Sequence, residues 1–492
     1  MTVRLSKSRF LAGSQCLKRL YLQVHQPELA AKADADYAIL EQGREVGLLA
    51  RQLFPDGVEV ESSSGLDRAI RTTRELVANP DIPAIFEGAF LYQDVVVKTD
   101  ILLRRKENVW RLIEVKSTTD LKDHHAQDLG IQSCVVSHSG VNLGSTWLAH
   151  INRDYVLAGE TVDPRQFFLF HNLMRRVQEL QPAIESDLRS QFRVLAVPVP
   201  PQVAPGPHCI DPFICEFFSH CNPEKPADYI GYLPRLSVSA LQQLQEMGVD
   251  SIHGIPADFD LTEFQRRVCT AMQSGQPWFG EELKNEFSSL SYPLCFMDFE
   301  TVNPAIPRFV GMHAYDHVPF QWSVHVQREP GATPEHFEFL AMDASDPRKD
   351  FISSLCNVLG DAGSVIVYNQ QFESQRLWEL AGWVPEYAEQ IRGIQRRLWD
   401  LLPVVRGHVY HPAFSGSFSL KAVLPALVPQ MSYKGMEVAN GQAAGLAWEA
   451  MIKGNCSDAE REGKRKALLA YCGQDTLALV RLLEALRDRC TV

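Results

Sequence analysis

The stretch Phe296-Met-Asp-Phe-Glu-Thr301 places two acids two residues apart inside an apolar run. Successive side chains of a β-strand point to opposite faces, so Asp298 and Glu300 share one face while Phe299 lies on the other. Burying two carboxylates on one face is costly without a cation nearby. We therefore expect a buried strand that carries metal ligands.

The last long predicted helix supplies partners for this strand. Tyr471 and Asp475 are four residues apart, so they lie one turn apart on the same helix face. With Asp298 and Glu300, Asp475 could clamp two metal ions about 3.5–4 Å apart, and Tyr471 would orient the attacking water. Taken singly, each pair is more often structural, but together they fit a two-metal site for phosphodiester hydrolysis.

These motifs resemble the tyrosine subtype of the DEDD exonucleases, in the DnaQ-like, ribonuclease H-fold superfamily. The middle motif is Tyr368-Asn-Gln-Gln-Phe-Glu373, where Glu373 replaces the usual aspartate as a metal ligand. Ala470 stands where the histidine subtype has its histidine. The resemblance implies Mg²⁺ or Mn²⁺ as cofactor and a 3′→5′ exonuclease. Ser417-Phe-Ser-Leu-Lys421 could hold substrate or could simply begin a helix.

A second candidate centre surrounds Trp110-Arg-Leu-Ile-Glu-Val-Lys116. Glu114 and Lys116 share one face of the predicted strand, and cross-strand pairing could bring Asp100 beside Glu114. Two carboxylates could hold Mg²⁺ while the lysine orients water or offsets phosphate charge. An isolated Glu-x-Lys is more often an exposed pair, so its context decides the interpretation.

That context resembles the PD-(D/E)XK motif of RecB-like nucleases. The matching strings are Lys98-Thr-Asp-Ile-Leu-Leu103 and Leu112-Ile-Glu-Val-Lys-Ser117. Gln132 occupies the position of the family's glutamine on the next helix, so the resemblance assigns it to the site. Val136 replaces the tyrosine that usually follows four residues later.

Three cysteines follow this motif at equal spacing, Cys209-x5-Cys215-x5-Cys221. Four thiolates are needed to close a cubane cluster or a zinc tetrahedron. Cys16 is the candidate for the fourth, although a lone cysteine is more often a small buried hydrophobe. The set resembles that of iron–sulfur RecB-like nucleases, including the CRISPR-associated ones. The resemblance implies a 4Fe–4S cluster, with zinc as the alternative.

The predicted fold class is α/β, in three parts. Residues 1–225 form a RecB-like PD-(D/E)XK nuclease domain with the cysteine cluster, 226–285 a helical linker domain, and 286–492 a DnaQ-like, ribonuclease H-like exonuclease domain. The first part is expected to contain strands near 84–92, 94–104 and 109–117. The whole chain resembles an uncharacterised bacterial family that fuses these two nucleases.

Composition limits the class of protein. The 492 residues carry a net charge of −12, which argues against coating DNA with a basic surface. Metal-ion nucleases nevertheless concentrate carboxylates, and bound cations reverse the local field. No apolar run approaches the roughly 20 residues of a membrane span, and the start lacks a secretory signal. We expect a cytoplasmic protein that does not bind membranes.

The expected activity is hydrolysis of DNA, and the expected nucleic-acid partner is single-stranded DNA, cut at its ends. Such an activity would suit DNA repair or defence against foreign DNA. An RNA exonuclease is an alternative, because nothing in the sequence reads a 2′-hydroxyl. A nucleic-acid-binding protein with only one live centre is another, suggested by Val136 and Glu373.

Overall fold

The computed structural model describes residues 4–31, 36–61, 63, 65–106, 108–223, 226, 228–454 and 456–490, with backbone only for 36–38. The chain divides into two compact units. The first comprises Met1–Glu224 and Pro304–Asp316, and the second comprises Lys225–Asn303 and His317–Val492. Within the described ranges, no helix combines the length and the apolar character needed to cross a membrane.

A seven-stranded sheet, in the order β2-β3-β4-β5-β6-β7 with β1 beside β4, forms the centre of the first unit. Its strands are β1 (Leu5–Ser6), β2 (Val58–Glu59), β3 (Ala84–Tyr92), β4 (Val95–Lys106), β5 (Val109–Lys116), β6 (Leu143–Ile151) and β7 (Phe168–Asn172). Its helices are α1 (Lys7–Gln15), α2 (Leu17–His25), α3 (Asp36–Arg51), α4 (Leu66–Ala78), α5 (Asp123–His138), α6 (Pro164–Phe167), α7 (Met174–Leu195) and α8 (Phe218–Cys221). The three predicted strands are confirmed as β3, β4 and β5.

Alternating side chains on this sheet fill two separate cores. Leu112 of β5 packs in a core that also contains Val135 of α5. Its neighbour Ile113 packs in a second core with Val46 of α3. Because Glu114 alternates with Ile113, its carboxylate lies on the face that α5 covers.

The second unit contains a mixed five-stranded sheet in the order β11-β10-β9-β12-β13 and a two-stranded ladder of β8 with β14. Its strands are β8 (Trp278–Phe279), β9 (Leu294–Val302), β10 (Val318–Gln327), β11 (Glu335–Leu340), β12 (Ser364–Val367), β13 (Leu398–Asp400) and β14 (Val409–Tyr410). Its helices are α9 (Val238–Glu246), α10 (Glu263–Ser274), α11 (Leu283–Glu286), α12 (Arg348–Leu359), α13 (Gln370–Trp383), α14 (Ala388–Arg397), α15 (Leu401–His408), α16 (Leu420–Leu427), α17 (Gly441–Ile452) and α18 (Asp458–Arg489).

The described residues of 226–285 pack into a core that they share with later helices of the second unit. Leu244 of α9 and Val268 of α10 share one apolar core with Leu401 of α15 and Leu483 of α18. The short ladder of β8 with β14 adds backbone hydrogen bonds to the same junction. The segment expected to be a separate linker domain is thus an integral part of the second unit.

Candidate active centres

Four predicted side chains meet in the first unit, where β4, β5 and α5 come together. Antiparallel pairing of β4 with β5 brings Asp100 next to Glu114, and Asp100 Oδ2 accepts a hydrogen bond of 2.7 Å from the backbone N–H of Val115. The buried Glu114 accepts hydrogen bonds of 2.7 Å from both Lys116 Nζ and Gln132 Nε2. The carboxylate, ammonium and amide groups of the predicted motif are therefore in contact.

Two charged residues outside the predicted set complete this first centre. Lys7 Nζ of α1 lies 2.7 Å from Glu114 Oε1 and 3.2 Å from Asp128 Oδ1. Asp128 of α5 is itself buried and accepts hydrogen bonds from Lys116 and, at 2.8 Å, from Gln132. The centre thus holds a network of two ammonium groups and the carboxylates that face them.

Opposite charges set the ionisation of this network. Burial and the neighbouring charge of Glu114 raise the pKa of Asp100 to about 7, against the two lysines. Burial would also raise the pKa of Glu114, but Lys116 and Lys7 outweigh it and hold that pKa well below its usual range. Glu114 is therefore ionised, and the protein's own Lys7 and Lys116 compensate its negative charge.

The first centre fits a divalent cation only in part. When Asp100 is ionised, the carboxylates of Asp100, Glu114 and Asp128 exceed the two lysines by one charge. The buried Oε1 of Gln132 has no hydrogen-bond partner among the described residues, so one polar atom remains available. A cation binding to Oε1 of Glu114 would compete with Lys7 and Lys116, which both contact that atom.

The second centre lies in the second unit, between the middle strand of the five-stranded sheet and two helices. Asp298 and Glu300 share one face of β9, as predicted from alternation. Glu373 lies in the first turn of α13, and Asp475 lies on α18, which packs against β9. Glu300, Glu373 and Asp475 are buried.

Burial with too little compensating charge raises the pKa of every one of these carboxyl groups. The pKa of Glu300 rises to about 8 through burial and the charge of Asp475, against the opposing charge of Lys421. The pKa of Glu373 also rises to about 8, chiefly through burial. Burial, Asp475 and Glu300 together place the pKa of Asp298 well above its usual value. For Asp475, burial raises the pKa to about 6.

Two tyrosines and one lysine line the second centre. Tyr433 Oη donates a hydrogen bond of 2.6 Å to Asp475 Oδ1, and Tyr471 bonds to the same carboxylate. Lys421 Nζ lies 5.3 Å from the ring of Tyr471 and 5.5 Å from that of Tyr433. The predicted Tyr471 is thus joined by Tyr433, which sequence patterns did not single out.

The donor set of the second centre suits divalent cations. Ligand atoms of Asp298, Glu300 and Cys472 all lie within 4.8 Å of one another. The buried Oε2 of Glu373 has no hydrogen-bond partner among the described residues. Carboxylate oxygens are the ligands that Mg²⁺ and Mn²⁺ prefer. The Cys472 thiol stays protonated, since burial and the nearby carboxylates raise its pKa well above the usual value.

Asp400 at the end of β13 fixes the helix that carries Glu373. Its carboxylate accepts hydrogen bonds of 2.9 and 3.0 Å from the backbone N–H groups of Asn369 and Gln370. Asn369 adopts a left-handed conformation, with φ of 83°. The carboxylate therefore holds the turn from which α13 starts.

The four predicted cysteines line one cavity in the first unit, together with Arg19 and His208. The cysteines are Cys16, Cys209, Cys215 and Cys221, and each carries a free thiol. The Cys215 N–H donates to Cys209 O at 2.8 Å, and this turn brings two of the thiols together. A single cavity thus presents the number of sulfur ligands that a cubane cluster or a zinc ion takes.

Polar contacts join the helix start that carries Cys16 to the segment that carries the other cysteines. Gln15 Nε2 donates hydrogen bonds of 2.7 Å to the carbonyl oxygens of His208 and Phe213. The guanidinium of Arg19 forms an ion pair of 2.8 Å with Glu216. The two ends of the first 221 residues are therefore tied together around the cavity.

Residues 295–419 match a family model described as a domain of unknown function, DUF2779. This segment includes Asp298, Glu300 and Glu373 of the second centre, while Tyr471 and Asp475 lie beyond it. A Mycoplasma pneumoniae protein described as "Uncharacterized protein MG366 homolog" is 25% identical over 233 residues, which is 43% of this chain and 35% of that protein.

A Mycoplasma genitalium protein, "Uncharacterized protein MG366", is 25% identical over 231 residues, which is 42% of this chain and 34% of that protein. The chain spans about a third of the length of these relatives. A solved structure titled "Crystal structure of SSO0001" covers 41% of this chain and 89% of that chain, with 12% identity and a TM-score of 0.17.

Proposed function

We propose that the second unit is a DnaQ-like, metal-dependent exonuclease that removes nucleotides from the 3′ end of single-stranded DNA. One observation carries the proposal, namely four carboxyl groups gathered with raised pKa values around a space that Lys421 also lines. Such a group is costly to ionise unless cations offset it. Two divalent cations bound there would supply an activated water and stabilise the leaving 3′ oxygen.

The protein's own side chains prepare this centre. Tyr433 and Tyr471 both bond to Asp475 and fix the direction of its carboxylate. Lys421 adds a positive charge close to both rings, where a substrate phosphate would be attracted. A protein accelerates phosphodiester hydrolysis mainly by positioning the reacting groups and by stabilising the charge of the transition state.

For the first unit we propose a RecB-like PD-(D/E)XK nuclease domain that holds a 4Fe–4S cluster on Cys16, Cys209, Cys215 and Cys221. The cavity shared by the four thiols supports the cluster, and the contacts among Asp100, Glu114, Lys116 and Gln132 support the nuclease centre. Protein purified without oxygen should be brown and contain about four irons per chain. Zinc in place of iron would overturn the cluster.

A protein with one live centre is the second candidate function. It is favoured by the ion pairs of Lys7 and Lys116 with Glu114, because both lysines contact Oε1 of the carboxylate that a metal would need. In that case the first unit would hold nucleic acid while the second unit performs the hydrolysis.

Separate variants of the two centres decide between these proposals. With Mn²⁺ and end-labelled single strands, Asp298→Ala should lower 3′→5′ digestion by about 100-fold or more, because it removes a metal ligand. The exposed Asp343→Ala is the matched control and should digest like the wild type. Glu114→Ala lowers total activity only if the first centre is also live.

The substrates carry their own controls. Strands blocked at the 3′ end should resist the second centre, and matched DNA and RNA strands measure the preference for sugar. Wild-type protein that leaves all of them intact over a wide range of Mn²⁺ would contradict the nuclease proposal.

A further inference from the structure

A pocket of the second unit combines three arginines with two phenylalanines. It is lined by Arg235, Arg267, Arg406, Phe264 and Phe418, and also by Pro234, Pro403, Gly407 and Gly416. Arg235 precedes α9, and Arg267 lies on α10. Two of the three arginines thus come from the segment 226–285, to which no functional role has been given so far.

The three arginines differ in what they already bind. Arg267 donates a hydrogen bond of 2.8 Å to Gly407 O and pairs with Glu263, so its charge is used within the protein. Arg235 and Arg406 are exposed and form no ion pair in the part of the chain that the structure describes. Two uncompensated charges in a chain of net charge −12 mark a site for an anion.

An aromatic surface lines the same pocket as these charges. The guanidinium of Arg235 lies 5.6 Å from the centre of the Phe264 ring, and the rings of Phe264 and Phe418 are 5.9 Å apart. Phe264 is only half-buried, so part of its ring remains open to the pocket. Cations that flank an open ring provide both of the contacts made with single strands, to phosphate and to base.

The pocket is joined directly to the second centre. Phe418 O accepts a hydrogen bond of 2.7 Å from Tyr368, in the motif that leads to Glu373. Three residues after Phe418, Lys421 reaches the ring of Tyr471. Three residues span at most about 11 Å, so a strand of a few nucleotides could occupy both places.

We propose that this pocket binds the part of a single strand that lies 5′ to the nucleotide being removed. Arg235 and Arg406 contact its phosphates, and Phe264 stacks on a base. The inference rests on the proposed exonuclease of the second unit and adds how that enzyme would hold a strand while its end is cut.

The test compares a long substrate with a minimal one. The double variant Arg235→Gln, Arg406→Gln is assayed with Mn²⁺ on a 12-nucleotide single strand and on the p-nitrophenyl ester of thymidine 5′-monophosphate, which reaches only the centre. The ratio of kcat/KM for strand over ester should fall about 10- to 100-fold, through KM. The salt slope of strand binding should decrease by about 1.4, since each lost phosphate contact contributes about 0.7.

Arg396→Gln is the control for a general loss of positive charge, because it removes one charge from an exposed position on α14 that does not line the pocket. It should keep the wild-type ratio. Phe264→Leu should weaken strand binding about 10-fold and keep the salt slope, because it removes stacking without removing charge.

An unchanged ratio in the double variant would overturn the inference, as would an equal fall with Arg396→Gln. If the wild type hydrolyses neither substrate, the exonuclease proposal fails, and equilibrium binding of a fluorescent 12-nucleotide strand decides the pocket by itself. Weaker binding by the double variant alone then supports the pocket, and equal binding contradicts it.

Discussion

Lys7 is the residue that most clearly separates the two centres. Its ammonium lies 2.7 Å from Glu114, in a centre that also contains Lys116. In the second centre, the opposing charges that act on Glu300 and Glu373 are those of Lys421 and Arg376, respectively. Lys7 and Glu114 are 107 residues apart in the chain, so no local pattern could predict the contact. The position of Asp128 in this centre is easier to predict from the sequence, because Asp128 lies four residues before Gln132 and therefore on the same helix face.

Removing Lys7 should make the first centre depend on metal for its stability. In Lys7→Gln without metal, Glu114 and Asp128 each lose one of two lysines, and the free energy of unfolding should fall by about 1–3 kcal/mol. Added Mn²⁺ should restore more stability than it adds to the wild type, because a competing cation is gone. Denaturant unfolding with and without Mn²⁺ measures both effects.

The exposed Lys106→Gln is the control for charge alone. If Mn²⁺ stabilises the wild type and Lys7→Gln by the same amount, Lys7 does not compete with a cation.

Among the elements, α18 does most to assemble the second centre. It spans 32 residues and turns Tyr471, Cys472 and Asp475 towards β9. One residue later, Thr476 bonds at 2.8 Å to His325 Nδ1 and at 2.7 Å to the hydroxyl of Ser323, both on β10. These buried bonds fix the rotation of the helix and hence the direction of Asp475.

The contact of α18 with β10 should weaken in acid. Burial, with the charges of His336 and Arg481, lowers the pKa of His325 from 6.5 to about 4. A lowered pKa means that its contribution to stability is present above pH 6.5 and is lost as the pH falls towards 4. His325→Asn keeps a hydrogen-bonding group without titrating, so its acid destabilisation over this range should be smaller by about 1–3 kcal/mol.

Unfolding curves at several pH values between 4 and 7 test this, with the exposed His220→Asn as the control. If the free energy of unfolding falls with pH equally in the wild type and in His325→Asn, protonation of His325 does not cause the acid destabilisation.

Elements with a clear period could be predicted from the sequence. Alternation located β3, β5 and β9 and gave the shared face of Asp298 and Glu300. The long helix expected to carry Tyr471 and Asp475 is α18 (Asp458–Arg489). Tyr433 could not be found in this way, because it lies outside the regular elements. Its side chain reaches Asp475 through the tertiary fold, across 42 residues of chain.

At the scale of the whole molecule, we expect the cysteine cavity to contribute to the stability of the first unit and not to that of the second. If the cluster is bound there, Cys215→Ala should lose most of the iron and lower the unfolding temperature of the first unit, since ligand binding contributes to folding. The transition of the second unit should stay in place, because its core is separate. Iron analysis and calorimetry check both, with Cys456→Ala as the control.

The unit boundary between Glu224 and Lys225 lies next to the one expected from the sequence. The cysteines marked where the first set of motifs ends, and that signal is local. The sequence does not show which core residues 226–285 pack into, because amphipathic helices such as α9 and α10 have the same apolar pattern in either case.

The segment Pro304–Asp316 belongs to the first unit although it is inserted between β9 and β10 of the second. Its Met312 and Gly311 form backbone hydrogen bonds of 3.0 and 2.8 Å with Leu157, and Ala305 is buried in a core of the first unit. Chains usually fold from the amino terminus while they are still being synthesised. Here the ribosome must release residue 316 before the first unit is complete, by which time β9 of the second unit has already emerged. Nascent chains stalled soon after residue 303 should therefore expose the first unit to protease, and those long enough to free residue 316 should protect it.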